Sequence, residues 1–296
     1  MRVVRTVKEL REALEYMRTG GHTPIGFVPT MGYLHEGHAS LLRRAGEMSS
    51  TVVMSIFVNP LQFGPNEDFA SYPRDEARDL ALAEREGADI VFIPSVEEMY
   101  PEPTRTTVSV SSLTTQLCGA SRPGHFDGVT TVVNKLFNMV QPDYAFFGLK
   151  DAQQVAVLRR MVSDLNMNVE IVACPIVREG DGLALSSRNV YLSAEERSQA
   201  LVLSRSLREV RQAMEEGRVN TVDEARRLLV SVISTSPLAV IDYAEILTFP
   251  GLETLDTGFY LSSAEGDIII ALAVKFGKTR LIDNNVFTPK EVHALV

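Results

Sequence analysis

Two histidines, His35 and His38, stand three residues apart in the stretch Pro-Thr-Met-Gly-Tyr-Leu-His-Glu-Gly-His at residues 29–38, with Gly32 and Gly37 beside them. An imidazole donates through N–H, and its cationic form adds a full charge. A strand-like apolar run precedes the stretch (Ile25 to Val28) and a helix-like run follows it (Ala39 to Met48). A helix start offers unpaired backbone N–H groups and the positive end of the helix dipole, which favour an anion such as phosphate. Donors gathered there suit negative charge building on a phosphorus in transfer. Two other readings compete. Histidines in a turn are often no more than satisfied surface or core residues. A metal could also use them, but His-x-x-His at a turn brings no third ligand of defined geometry, and no His-Glu-x-x-His spacing occurs.

Further clusters carry chemistry-bearing side chains. Asn59-Pro60-Leu61-Gln62-Phe63-Gly64-Pro65 is a polar loop directly after an apolar run, Thr51 to Val58. In open α/β sheets, ligands bind beyond the carboxyl ends of strands. Gly148-Leu149-Lys150-Asp151, with Gln154, has two readings. Asp151 can cap a helix while Gln154 reaches back, and the local pattern favours this. Alternatively Lys150 is a cation for phosphate, while Asp151 and Gln154 hydrogen-bond hydroxyls. Leu185-Ser186-Ser187-Arg188 offers two hydroxyls and a guanidinium, which matches phosphate bidentately, although Ser-Ser-Arg is common on surfaces. Asp75, Glu76 and Asp79 read as a solvated helix face, with Asp79 able to hold Mg2+ on a polyphosphate. His22, His125 and His293 carry no specific signal. Gly277-Lys278-Thr279 resembles the end of a P-loop, but Leu272 stands where that motif needs Gly. Neither Gly-x-Gly-x-x-Gly nor Gly-x-Ser-x-Gly occurs.

These groups need strands and helices to position them. Residues 7–18 place Leu10, Leu14 and Met17 at helical spacing, and Thr19-Gly20-Gly21 ends that helix. Ile25 to Val28 and Thr51 to Val58 are almost wholly apolar, as strands covered on both faces of a parallel sheet are. Helices over Pro73 to Glu86, Val129 to Val140 and Ala152 to Leu165 then alternate with strands over Asp89 to Ile93, Tyr144 to Phe147 and Val169 to Ala173. Residues 94–124, rich in Pro, Ser and Thr, read as loops long enough to form a lid or binding loop. This alternation predicts a doubly wound α/β domain to about residue 175. Pro175 and Glu179-Gly180-Asp181-Gly182 mark a boundary or hinge. Beyond it, Ser193-x-x-Glu196 and Thr221-x-x-Glu224 are capping boxes that each open a helix. Val240 to Leu247, Ile268 to Val274 and Arg280 to Ile282 read as strands, so a smaller α+β domain is expected.

Composition narrows the field. The 296 residues suffice for one large domain or two modest ones. With 45% apolar and 23% charged residues they can build a core, and disorder is not indicated. A net charge of −9 without a block of Lys or Arg withholds the basic surface that nucleic acid requires and argues against docking on an anionic membrane. Cys118 and Cys174 are far apart with no Cys-x-x-Cys, so two buried thiols in a reducing cytosol are expected. The N-terminus is too charged for a signal peptide, and no apolar run nears the ~20 residues needed to span a bilayer, so a cytoplasmic protein is expected.

Six segments together resemble the pantothenate synthetases (pantoate–β-alanine ligases) of the HIGH-motif nucleotidyltransferase superfamily. They are residues 29–38, Ser-Ile-Phe-Val-Asn-Pro-Leu-Gln-Phe-Gly (55–64), Arg-Pro-Gly-His-Phe-Asp-Gly (122–128), Phe-Phe-Gly-Leu-Lys-Asp-Ala-Gln-Gln (146–154), Asp-Gly-Leu-Ala-Leu-Ser-Ser-Arg-Asn (181–189) and Arg-Leu-Ile-Asp-Asn (280–284). They keep the family's order and spacing over nearly the whole chain. The resemblance implies a Rossmann-like catalytic domain at residues 1–176, binding ATP and pantoate, and a smaller lid domain at residues 177–296. It also implies a homodimer that uses Mg2+ with ATP. The implied reaction is condensation of (R)-pantoate with β-alanine in two steps. The pantoate carboxylate attacks the α-phosphorus of ATP, giving pantoyl adenylate and pyrophosphate. The β-alanine amine then attacks the activated carbonyl, giving pantothenate and AMP.

The resemblance also implies roles by position. Met31, Gly32, Tyr33, Leu34, His35, Glu36, Gly37 and His38 form the ATP turn. His35 and His38 meet the phosphates, with His38 as the acid. Asn59, Gln62 and Gln154 bind pantoate and β-alanine. Gly148, Leu149, Lys150 and Asp151 hold ribose and phosphates, with Lys150 neutralising transition-state charge. Val177 meets adenine, Leu185, Ser186, Ser187 and Arg188 clamp the outer phosphates, and Asp79 lies near Mg2+. It thereby favours the ligand-binding reading of Asp151 and Gln154 over pure capping. Leu149 departs from the family pattern, where a polar residue is expected. Three rivals need different features. An aminoacyl-tRNA synthetase shares the histidine turn but needs a basic face for tRNA. A simple nucleotidyltransferase needs no glutamines around a hydroxy acid. A non-catalytic nucleotide-binding module would tolerate loss of His38 and Lys150.

Overall fold

Apolar runs that lie in a row must bury both faces, and here they do so in a sheet. The computed structural model describes residues 1–65 and 67–288, and His293 lies outside them. In chain order the first elements are β1 (Arg2–Val4), α1 (Val7–Thr19), β2 (Ile25–Thr30), α2 (Glu36–Met48), β3 (Thr51–Ile56), α3 (Glu76–Arg85), β4 (Ile90–Phe92) and α4 (Val96–Met99). They are followed by α5 (Leu117–Ser121), α6 (His125–Val140), β5 (Tyr144–Gly148), α7 (Ala152–Asp164) and β6 (Glu170–Cys174). The remainder is α8 (Ala194–Gln199), α9 (Val202–Glu215), α10 (Val222–Ile233), β7 (Ala239–Phe249), β8 (Asp267–Phe276) and β9 (Thr279–Phe287). Short 3-10 turns cover Pro60–Gln62, Leu149–Asp151, Ser187–Tyr191 and Leu261–Ser263. The chain divides into two compact units. One comprises Met1–Ser112, Arg122–Leu149 and Val157–Val177. The other comprises Leu113–Ser121, Lys150–Ala156 and the chain from Arg178 onward.

The first unit is built on a six-stranded sheet in the order β1-β4-β3-β2-β5-β6, with every pair parallel. Its central strands are buried on both faces, which is why they read as unbroken apolar runs. The helices cover it with apolar stripes: α1 buries Leu10 and Leu14, and α2 buries Leu41 and Leu42. Leu34, Leu42, Met54 and Phe146 share one core cluster. Thr6 and Glu9 close a capping box on α1, and Asp75, exposed as expected, also caps α3 by accepting the Arg78 amide. From β2 the chain adds strands outward on one side (β3, β4) and later on the other (β5, β6). The strand order therefore reverses beside β2, and beyond the carboxyl ends at such a reversal lies the ligand crevice of open α/β sheets.

The second unit carries the antiparallel sheet β7-β8-β9. Leu203, Leu207 and Val210 of α9 and Leu229 and Ile233 of α10 pack in one core with Ile268, Ile270 and Leu272 of β8. Both expected capping boxes form, Ser193 with Glu196 on α8 and Thr221 with Glu224 on α10. The Gly180–Gly182 stretch, read as a boundary or hinge, forms a closed turn just past the unit limit between Val177 and Arg178. Arg178 bridges to Ala184, the Glu179 amide donates to the Leu183 carbonyl at 2.8 Å, and Arg197 ties Glu179 and Asp181 at 2.7 and 2.8 Å. The Asp151–Gln154 capping box is not found among the described residues. The 3-10 turn Leu149–Asp151 runs straight into α7, so Asp151 does not take the extended backbone of an N-cap.

One close approach holds the Asn59 loop in place. A Cβ on Gly128 of α6 would lie 2.3 Å from the Leu61 carbonyl oxygen and 2.6 Å from the Gln62 Cα. Both are main-chain atoms, so the turn or the helix must move. Gly128→Ala is expected to cost about 1–3 kcal/mol of stability as overpacking does. Urea unfolding checks this, and an unchanged midpoint would show that the two backbones do not meet.

Candidate active site

The histidine turn follows β2 at the sheet's reversal point. Gly32 and Tyr33 both take the left-handed conformation, with φ of 86° and 51°. A Cβ on Gly32 would sit 3.0 Å from both Asp79 Oδ2 and Ile56 Cγ2, so the turn needs glycine on two counts. Asp79 reaches in from α3. Its Oδ2 accepts the Tyr33 amide and its Oδ1 the Leu34 amide, each at 2.7 Å. Arg78 lies over the Tyr33 ring at 5.0 Å. His35 is then the N-cap of α2, and its own Nδ1 accepts the Gly37 amide at 3.1 Å. His38, three residues on, reaches back: its Nδ1 accepts the His35 amide at 3.2 Å. The ring centroids are 4.1 Å apart.

This double cap assigns the tautomers. A backbone N–H can only donate, so each Nδ1 must offer a lone pair, and each neutral ring carries its proton on Nε2. The amides of His35 and Gly37, expected to meet an anion directly, are spent on the rings. In their place the turn has two Nε2–H donors. In this tautomer His38 presents Nε2–H as its donor. The Leu34 side chain is fully buried in the core, and its amide donates to Asp79. Glu36 is exposed and paired with Arg43.

Beyond β3, the Asn59 loop is built around one buried amide. Asn59 is 1% exposed. Its Nδ2 donates to the Gly128 carbonyl at 3.1 Å and to Gln62 Oε1 at 3.2 Å. Its Oδ1 accepts the Tyr100 hydroxyl at 2.8 Å and the Leu61 amide at 3.3 Å. All four hydrogen-bonding positions of the Asn59 amide are filled by these partners. Gln62 is half-buried, and among the described residues its Nε2 faces the Met31 sulfur at 3.1 Å. Its carbonyl accepts from His125 Nδ1 at 2.9 Å and Arg122 Nη2 at 3.3 Å. Arg122 in turn grips Glu67 through two 2.6 Å bonds. Burial opposes the Glu67 charge, yet the Arg122 guanidinium holds that carboxyl below the usual range. His125, read as carrying no signal, is thus part of the support for Gln62.

Gly148 ends β5, Leu149 follows it, and Val177 follows β6. Every expected residue of the first unit except Asp79 therefore lies at or past the carboxyl end of one of four adjacent strands. Lys150, Asp151, Gln154 and Leu185 to Arg188 belong to the second unit. There the Lys150 carbonyl accepts from Asn284 Nδ2 at 3.0 Å, and its Nζ lies 3.4 Å from Asp151 Oδ2. Ser186 caps the turn that carries Ser187 and Arg188 by accepting the Arg188 amide at 3.3 Å. Sequence reasoning missed two supports. Gln153, buried beside Gln154, accepts the Cys118 amide at 2.9 Å and donates to the carbonyls of Leu113 and Gln116. Asp283 takes Arg178 in a bidentate pair at 2.6 and 2.9 Å. The signal for Asp283 and Asn284 was present in the segment 280–284, without a mechanism attached.

The fold and this edge define a class: a doubly wound α/β protein with polar side chains gathered at its switch point. The family profile for pantoate-β-alanine ligase matches residues 2–286. The pantothenate synthetase of Acetivibrio thermocellus is 55% identical over 96% of this chain and 98% of its own. That of Pelotomaculum thermopropionicum is 56% identical over 97% and 99%. The crystal structure of pantothenate synthetase from Thermus thermophilus superposes with a TM-score of 0.89 at 49% identity, covering 99% of this chain and all of that one (100%). The Francisella tularensis pantoate-β-alanine ligase, solved with β,γ-ATP and β-alanine, gives 0.78 at 32% identity over 98% and 100%. The chain belongs to the pantoate–β-alanine ligase family, and it is a ligase enzyme.

Among the described residues no group of three His, Cys, Asp or Glu side chains could hold a metal ion. Asp79, the expected ligand, is 1% exposed with each oxygen on a backbone amide. It anchors the histidine turn through those two amides. Burial holds its carboxyl above the usual carboxylate range, outweighing the amide bonds that lower it. The folded protein thus holds this proton more tightly than the unfolded chain does. The stability involved is fully present below the unfolded value of about 3.9 and is lost as pH rises through the folded one. The stability margin of the wild type over Asp79→Asn should therefore narrow as pH rises through that window. Urea titrations at several pH values check it, and a margin that widens with pH would mean that the amide bonds outweigh burial.

Proposed function

We propose that this ligase joins (R)-pantoate to β-alanine with ATP through a pantoyl adenylate, with the histidine turn as its phosphate site. The observation that carries the residue roles is the double cap, which sets two Nε2–H donors side by side at the start of α2. A carboxylate is a poor electrophile, and adenylation supplies a leaving group. Phosphoryl chemistry of this kind asks for positioned positive donors more than for covalent help. In this proposal His35 and His38 donate to phosphate oxygens as charge builds in the first step. Met31, Gly32 and Tyr33 shape the turn, and Gly37 lets the phosphates approach. Lys150 neutralises the developing charge, and Ser186, Ser187 and Arg188 hold the outer phosphates, Arg188 through its planar fork. Gly148 and Asp151 meet the ribose, and Val177 meets adenine. Gln62 and Gln154 bind pantoate, and Gln62 lies near the incoming β-alanine.

Any Mg2+ then arrives on ATP as part of the substrate. Residues 1–176 bind ATP and pantoate, and residues 177–296 serve as a lid that keeps water from the hydrolysable adenylate. The enzyme works as a homodimer in the cytoplasm. Among the described residues no helix is long and apolar enough to cross a membrane.

Pyrophosphate release from ATP and Mg2+ should appear with D-pantoate, and AMP and pantothenate should accumulate only once β-alanine is added. A chain that binds ATP but shows no pantoate-dependent release would lose the proposed reaction. His38→Ala and Lys150→Ala should each lower turnover by ~100- to 1,000-fold, as removal of one charge-stabilising donor does, while still folding. Near-wild-type turnover in either variant would remove that residue from the mechanism.

A further inference from the structure

Gln62 has an amide that could face a substrate with either end, and its surroundings decide which. The Gly128 carbonyl can only accept, so the Asn59 atom facing it at 3.1 Å must be Nδ2. The same Nδ2 then donates to Gln62, so the Gln62 atom at 3.2 Å must be Oε1. Asn59 Oδ1 is held on the other side by the Tyr100 hydroxyl at 2.8 Å. Burial pushes the Tyr100 phenol up to about 12, so it stays protonated and keeps its hydrogen to give. The ring is fixed by Phe57 and by Lys135, at 6.0 and 5.5 Å from its centroid. The end of this relay is Gln62 Nε2, whose partner among the described residues is the Met31 thioether, a weak acceptor. An oxygen acceptor that replaced the sulfur would gain a stronger bond, with no rotation of the amide.

We propose that Tyr100, acting through Asn59, is a positioning residue that orients Gln62 to present its NH2 as a donor to an oxygen acceptor of the bound hydroxy acid. This rests on the reading of Gln62 as a pantoate-binding residue. It gives Gln62 a polarity: the side chain selects a carboxylate or hydroxyl oxygen and turns away a group that can only donate. Asn59 would gain nothing from touching substrate, because its work is finished inside the loop.

The test is a double-mutant cycle in steady-state kinetics. Tyr100→Phe keeps the ring packing and removes only the hydroxyl. It should raise KM for pantoate about tenfold, the loss of one well-placed hydrogen bond. KM for ATP should not change. In a Gln62→Ala background the same substitution should add less than a twofold further loss. An unmoved pantoate KM would overturn the proposal. So would an equal loss in both backgrounds, or a matching rise in KM for ATP, since these mark a general packing role. Gln62→Ala with wild-type pantoate KM is a separate failure. It would remove Gln62 from the pantoate site, and the proposal with it.

Discussion

A backbone N–H taken out of water must find an acceptor, and the turn between β2 and α2 answers that demand with three side chains. Asp79 takes the amides of Tyr33 and Leu34, the His35 ring takes that of Gly37, and the His38 ring takes that of His35. The solution converts a structural need into a chemical one. Each main-chain donor absorbed by an Nδ1 obliges that imidazole to keep its proton at the far nitrogen. The proposed phosphate donors are therefore side-chain N–H groups whose direction the main chain imposes. The same logic recurs after β3, where Asn59 satisfies a carbonyl, an amide, a phenol and a neighbouring glutamine at once. In both places one buried polar group organises a loop that carries a reactive one.

The regular part of the fold was legible because it obeys simple periodicities. The strands at Ile25–Thr30 and Thr51–Ile56 are continuous apolar runs, and the boxes at Ser193 and Thr221 are local signals read within four residues. The gathering of the histidine turn, the Asn59 loop and the Gly148 turn at one edge follows from parallel strands and was legible with them. What could not be read was the division of labour among polar residues. Asn59 and Gln62 look alike in sequence, yet one is sealed and the other half-open. Asp79 looks like surface charge, because nothing local says that helix α3 aims it at amides some 45 residues earlier. The capping box at Asp151 had the right residues, but the backbone entering α7 was already helical. Such outcomes depend on contacts distant in sequence, and spacing does not encode them.

The second unit shows the same economy on a single strand. Arg280 of β9 holds Asp242 at 2.7 Å and lies 3.5 Å from Cys118, while Asp283 holds Arg178 and Asn284 holds the Lys150 carbonyl. One edge strand thus ties down β7, α5 and two connecting stretches, including the one that carries the proposed phosphate lysine. Both cysteines, Cys118 and Cys174, are buried thiols as expected.

The way the chain is shared between the units has a consequence for modularity. It leaves the first unit after residue 112 and again after residue 149, returning each time before its final passage at Val177. A fragment beginning at Arg178 would lack α5, whose Ser121 pairs with Asp242, and would lack Lys150 altogether. The smaller unit is therefore not a cassette that recombination could move intact between proteins. Shuffling at its sequence boundary would leave its strap and its lysine behind, and the two units can only be inherited together.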